Sequence, residues 1–197
     1  MPAALPSTCQ IALKEWGSVL VAMARGEQLL LIRKGGLADG TIGFELLSDT
    51  FLFYPTFEHQ AVKYLRAPYS GYLDEALQQR APAGHVRLDL AGLVVASVQS
   101  RDATVLKRLE PFHVYNDAFL AQRLQWQPDV PLVITVVRAF RLPAPQIIPV
   151  VERYAGCKSW VELEQPVSLE GATPLLDDHV FRGRLAQLHA VLGPSIP

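Results

Sequence analysis

The sequence predicts an α+β protein: a small curled sheet or open β-barrel, helices packed across it, and a helix at the C-terminal end. Three observations predict it. Apolar runs of strand character recur at 27–33, 51–54, 86–90, 93–98 and 131–141. Helical periodicity is confined to a few short stretches and one longer stretch near the end. The two kinds do not alternate regularly, which argues against a doubly wound parallel sheet.

Residues 1–8 hold two prolines and no periodicity, and read as a loose end. Leu13, Trp16, Leu20 and Met23 recur at helical spacing. Gly26 can close that helix in the left-handed conformation. A buried strand over 27–33 is turned by Gly35 and Gly36, and 37–48 is loop-like with a short strand at 44–47. The strand at 51–54 meets Pro55, which cannot donate to a ladder and so ends the strand or sits at an edge. Short helices follow at 60–66 and 72–79, with Thr56 placed to cap the first. Val86, Leu88 and Leu90 alternate with Arg87 and Asp89, and Ala91-Gly92 joins them to a second strand at 93–98. The stretch 103–109 fits either state. Asn116 can cap a helix running to Gln125. The longest strand is expected at 131–141, another at 147–151, and a short one at 161–163. Last comes a helix over 178–192, with Phe181, Leu185, Leu188 and Leu192 on one face, Asp177 or Asp178 as cap and Gly193-Pro194 as stop. This organisation predicts one α+β domain over 9–165 and an extension over 166–197 whose amphipathic helix packs on it.

Half of the 197 residues are apolar and 19% are charged, enough for one sizeable core. The net charge is −1, from 18 basic and 19 acidic residues, so any nucleic-acid binding must use a local patch. Cys9 and Cys157 make no disulfide scaffold, and reduced thiols in the cytoplasm are expected. The first residues lack the pattern of a signal peptide. The most apolar stretch, 19–32, is broken by Arg25, Gly26, Glu27 and Gln28, so no membrane partner is expected.

Two segments run from strand-like residues straight into polar, glycine or proline positions. The first ends in Arg33-Lys34-Gly35-Gly36. Two cations beside exposed N–H groups of a glycine turn form a concavity for phosphate, or else a plain hairpin turn with solvated charges. The second is Tyr54-Pro55-Thr56-Phe57-Glu58-His59-Gln60. It mixes flat apolar faces with donors and acceptors, as a pocket for a base requires. His113 and Cys157 are read as structural. The chain has no phosphate-binding loop, Gly-x-Gly-x-x-Gly, Cys-x-x-Cys, His-Glu-x-x-His or Gly-x-Ser-x-Gly motif, so no metal or cofactor is expected. No acid is followed two residues later by lysine, which weakens a metal-dependent nuclease reading.

The combination of Ala12-Leu13-Lys14-Glu15-Trp16, Leu31 to Gly36 and Phe53 to Gln60 resembles the domain of unknown function 1802 family of bacterial proteins. Arg123-Leu124-Gln125-Trp126-Gln127-Pro128, Pro131-Leu132, Arg138 to Pro143 and Tyr154 to Leu163 continue the resemblance, which covers roughly 10–165. The family carries a more charged segment around Phe44-Glu45; here Leu46, Leu47 and Ser48 follow, and the resemblance therefore assigns Glu45 no role. The resemblance implies no defined activity; fusions of relatives to restriction-type nuclease domains imply nucleic-acid business at most. The layout of the first segments is also similar to the PUA and ASCH pseudo-barrels, which bind RNA or modified bases.

Three readings stand. In the leading one the chain is a nucleic-acid or nucleotide-binding module. Arg33, Lys34, Gly35 and Gly36 hold phosphate, while Tyr54, Thr56, Phe57, Glu58, His59 and Gln60 line a base-sized pocket supported by Trp16. In the second it is a small hydrolase or transferase for a phosphorylated ligand, with His59 as acid or base and Lys34 stabilising charge. In the third it is a protein-binding scaffold that dimerises through the last helix. The first two need positions 33–36 and His59 to open onto one hollow.

Overall fold

A computed structural model of the chain describes residues 5–34, 43–58, 60 and 62–193. Mixed α+β content is observed, as expected. Strand β1 (Thr8–Trp16) runs without a loop into α1 (Gly17–Ala24), followed by β2 (Leu30–Arg33), β3 (Thr50–Thr56) and α2 (Tyr72–Gln78). Then come β4 (His85–Ser100), α3 (Ala103–Arg108), α4 (Asp117–Gln125), β5 (Leu132–Pro149), β6 (Trp160–Ser168), β7 (Thr173–Pro174) and α5 (Asp178–Leu192). Among the described residues seven strands form one open sheet in the order β2-β5-β4-β3-β1-β6, with β7 added on β5. β1 and β3 are parallel; the other pairs are antiparallel.

Both faces of the sheet are covered. Leu13, Phe51 and Phe53 enter the larger core, packed with α1 and the later helices. Their neighbours Ala12, Leu52 and Tyr54 enter a smaller core with Tyr154, Val161 and Leu163. This corrects the helix expected from Leu13 and Trp16. Ala12 and Leu13 are adjacent and both fully buried, because a strand covered on both faces loses the apolar–polar alternation that marks a strand. The helix starts only at Gly17, and it closes as expected: Gly26 has φ +72°, its N–H donates to the Met23 carbonyl, and the Glu27 N–H donates to Ala22.

Thr56 is likewise not a helix cap. It ends β3 and donates from its hydroxyl to the Glu15 carbonyl at 3.2 Å. In place of a helix over 60–66 there is a single 3-10 turn, Val62–Tyr64. Residues 44–48 form no strand; their place is held by the Trp160 indole, which donates to the Glu45 carbonyl at 2.8 Å. The paired strands at 86–90 and 93–98 are one strand, as are those at 131–141 and 147–151. Asn116 and Asp177 cap α4 and α5 as expected, accepting from the Phe119 and Val180 N–H groups. Phe181 and Leu188 of α5 are buried in the larger core.

The β4–β5 ribbon is bent twice. Between Val94 and Ala96 two steps of β4 oppose one step of β5, a bulge at Val95. Between Leu88 and Leu90 two steps of β4 oppose five of β5, from Gln146 back to Arg141. The extra β5 residues include Pro143 and Pro145, which have no N–H to give a ladder.

Candidate functional site

That wide bulge lies where β3 and β4 part. The two strands pair only at Thr50–Leu93, Phe51–Gly92 and Leu52–Ala91. Among the described residues, β3 beyond Leu52 has β1 as its only strand neighbour, and β4 before Leu90 has only β5. Pro55 falls in this one-sided stretch, the edge position that suits a residue without an N–H. The gap is a cleft of about 520 Å³, walled by Phe53–Glu58, the first half of β4, α1, the end of α2 and the 154–156 loop.

The walls carry five lysines and arginines against three carboxylates, a local surplus in a chain of net charge −1. Two of the cations are matched: Arg25 pairs with Glu75 at 2.6 Å and Arg87 with Asp89 at 2.8 Å. Lys14 donates to the Tyr154 and Gly156 carbonyls at 2.5 and 2.8 Å and so holds the loop in place. Burial lowers its pKa, against the opposing pull of Glu58. Arg80 and Arg141 are exposed and have no carboxylate partner among the described residues. The Arg80 guanidinium lies over the Phe57 ring, 5.1 Å from its centre.

A second cleft, about 230 Å³, opens on the other side of Lys14, Thr56, Glu58 and Gly156, which line both. Here Arg33 pairs with the buried Glu15 at 3.2 Å, and Glu15 also accepts from the Trp16 N–H at 2.8 Å. Lys34 is 2% exposed, and its ammonium donates to the Arg123 and Leu124 carbonyls at 2.7 and 3.2 Å. It thereby caps the last turn of α4. Burial, with the charges of Arg101 and Arg123, lowers its pKa.

The sequence-predicted site is thus divided between two adjoining clefts. Arg33 and Lys34 line the small one, Tyr54 and Phe57 the large one, and Thr56 and Glu58 both. Tyr54 is 7% exposed and meets Tyr154 edge-on. Gln60 lines neither: its carbonyl oxygen accepts from the Ser18 hydroxyl and N–H at 3.0 and 3.3 Å, at the start of α1. Gly35, Gly36 and His59 lie outside the described residues. Trp16 packs in an aromatic cluster with Tyr64, Tyr115 and Phe119.

A family model described as Domain of unknown function (DUF1802) matches residues 12–187. The chain belongs to this family. No curated protein and no solved structure matches it. The matched span holds every residue of both DUF1802 clefts and most of α5. Among the described residues of this DUF1802 chain no cluster of His, Cys, Asp and Glu could hold a metal ion, and no helix is long and apolar enough to cross a membrane. Cys9 is buried and Cys157 exposed, both as free thiols. Sequence reasoning missed Arg80, Arg141, Tyr115 and Arg123. Arg123 and Arg141 lie in segments that carry the family resemblance, but in none of the four cases does a neighbouring residue signal that the side chain faces a cleft.

Proposed function

We propose that this DUF1802 chain is a binding module for a nucleotide or single-stranded nucleic acid, seated in the large cleft. The observation that carries the reading is the pair Arg80 and Arg141: exposed, without carboxylates, in a cleft with a surplus of positive charge. The volume of about 520 Å³ lies in the range that encloses a small ligand. An arginine plane seated on an aromatic ring, as Arg80 is on Phe57, is a platform on which a base can stack. Phosphates would meet Arg80 and Arg141, while Lys14 and the Arg87–Asp89 pair keep the walls in shape.

Fluorescence anisotropy with labelled single-stranded DNA and RNA tests this. The wild type should bind with marked salt dependence, and the double variant Arg80→Ala/Arg141→Ala should bind more weakly. Loss of two phosphate contacts should flatten the slope of log K against log salt by about 1.4. Unchanged affinity and slope in the double variant, or no binding by the wild type to any oligonucleotide or mononucleotide, would overturn the reading.

A further inference from the structure

We propose that the smaller cleft is a separate phosphate-binding site, built on Arg123 and the hydroxyl of Tyr115. It does not depend on what fills the larger cleft. Its floor is a rigid aromatic stack: the Tyr115 ring lies flat on Phe119, centres 4.0 Å apart and planes 8° from parallel, with Trp16 edge-on to both. The stack fixes where the Tyr115 hydroxyl sits. Tyr115 is 2% exposed and lines the cleft, and its hydroxyl has no hydrogen-bond partner among the described residues. The ring is buried while the oxygen, which is not among the sealed unpartnered atoms, is open to the cleft, so a ligand there can accept its hydrogen bond in place of water. The charged groups acting on it are Glu15, Arg33 and Arg123, all in the walls of the same cleft. Burial first, then Glu15, raises its pKa well above the ordinary tyrosine value, so it is a hydrogen-bond donor at neutral pH.

Arg123 supplies the charge. Its guanidinium packs over Phe119, 5.0 Å from the ring centre, and its Nε is buried with no partner. No carboxylate lies within ion-pair distance of it among the described residues. The one buried acid of the cleft, Glu15, is already taken by Arg33 and the Trp16 N–H. Lys34 is equally committed, but to the backbone of Arg123 and Leu124, so it fixes the turn that carries the guanidinium. Five lysines and arginines face two carboxylates around about 230 Å³, a space for one small oxyanion. Phosphate has the charge for that surplus and the acceptor oxygens for an arginine fork and a phenol together. It can arrive free, or as the end of a ligand that crosses from the larger cleft past Lys14 and Thr56.

Isothermal titration with inorganic phosphate tests the site directly, on the full chain and on Tyr115→Phe and Arg123→Gln. Tyr115→Phe keeps the ring stack and removes one oxygen, so it should fold as the wild type does by near-UV circular dichroism. Saturable one-to-one binding is expected, weakened roughly fivefold by Tyr115→Phe and tenfold or more by Arg123→Gln. No saturable phosphate binding, or wild-type affinity in Tyr115→Phe, would overturn the proposal whatever oligonucleotides do at Arg80 and Arg141. Titration with a nucleoside monophosphate then separates the two sources. Weakening by both Tyr115→Phe and Arg80→Ala/Arg141→Ala assigns the phosphate to a ligand spanning both clefts, and weakening by Tyr115→Phe alone assigns a free phosphate.

Discussion

His113 is fully buried between α3 and α4, and neither ring nitrogen makes a hydrogen bond of good geometry among the described residues; the backbone of Leu106 and Tyr115 gives it only weak support. Burial, and then the nearby Arg66 guanidinium, depress its pKa from 6.5 to about 4. Arg66 itself donates to the Glu110 and His113 carbonyls, so its charge is anchored beside the ring. The unfolded chain therefore takes up a proton near pH 6.5 that the native state refuses until about pH 4. Stability is at its full value above pH 6.5 and falls as the pH drops through that window, by about 3 kcal/mol in all if His113 acts alone. Urea unfolding measured between pH 7 and 4 should show this slope. His113→Phe should remove it, and an unaltered slope in that variant would assign the acid sensitivity to other groups.

The large cleft is a property of β3, β4 and β5 together, and Gly92 is paired to both neighbours, to Phe51 of β3 and Ala139 of β5. A Cβ there would lie 2.8 Å from Phe51, 3.0 Å from Phe53 and 2.9 Å from Val137. Gly92→Ala should therefore push two aromatic rings from their places and lower stability by roughly 1–3 kcal/mol, read as a lower urea midpoint with unchanged m. Phe51 stands one rung before β3 leaves β4 and Phe53 just past the last rung, in the cleft wall, so the same variant should also weaken whatever the cleft binds. The helix-end bonds themselves are local: Asn116 and Asp177 accept from N–H groups three residues on, and Gly26 closes α1 on Met23, which is why a short stretch of sequence identifies them, although Asn116 also donates to the Lys63 and Leu65 carbonyls.

At the scale of the molecule, α5 belongs to the main core. Phe181 and Leu188 are buried in it, Arg184 donates to the Pro111 carbonyl at 2.9 Å, and Arg138 pairs with Asp178. Leu188→Ala should cost about 2–5 kcal/mol, and deletion from Asp177 onward should lower Tm sharply and expose apolar surface to a hydrophobic dye. A truncated chain that keeps its Tm while changing mass in light scattering would make α5 a dimer surface instead.

The sequence by itself determined the α+β class, the capped ends of α1, α4 and α5, and the strand character of β2 to β5, because each rests on residues that act within a few positions of one another. Tertiary structure alone decided that Leu13 and Trp16 lie in a strand, since burial on both faces erases the period that would reveal it. Tertiary structure also parted Arg33 and Lys34 from Tyr54 and Phe57 into adjoining clefts, and tied up Lys34 and Gln60 in backbone and helix-end bonds. The cleft exists because Pro143 and Pro145 in β5 coincide with the point where β4 leaves β3. That coincidence joins segments some ninety residues apart in the chain, and no local pattern of side chains can encode where such segments meet.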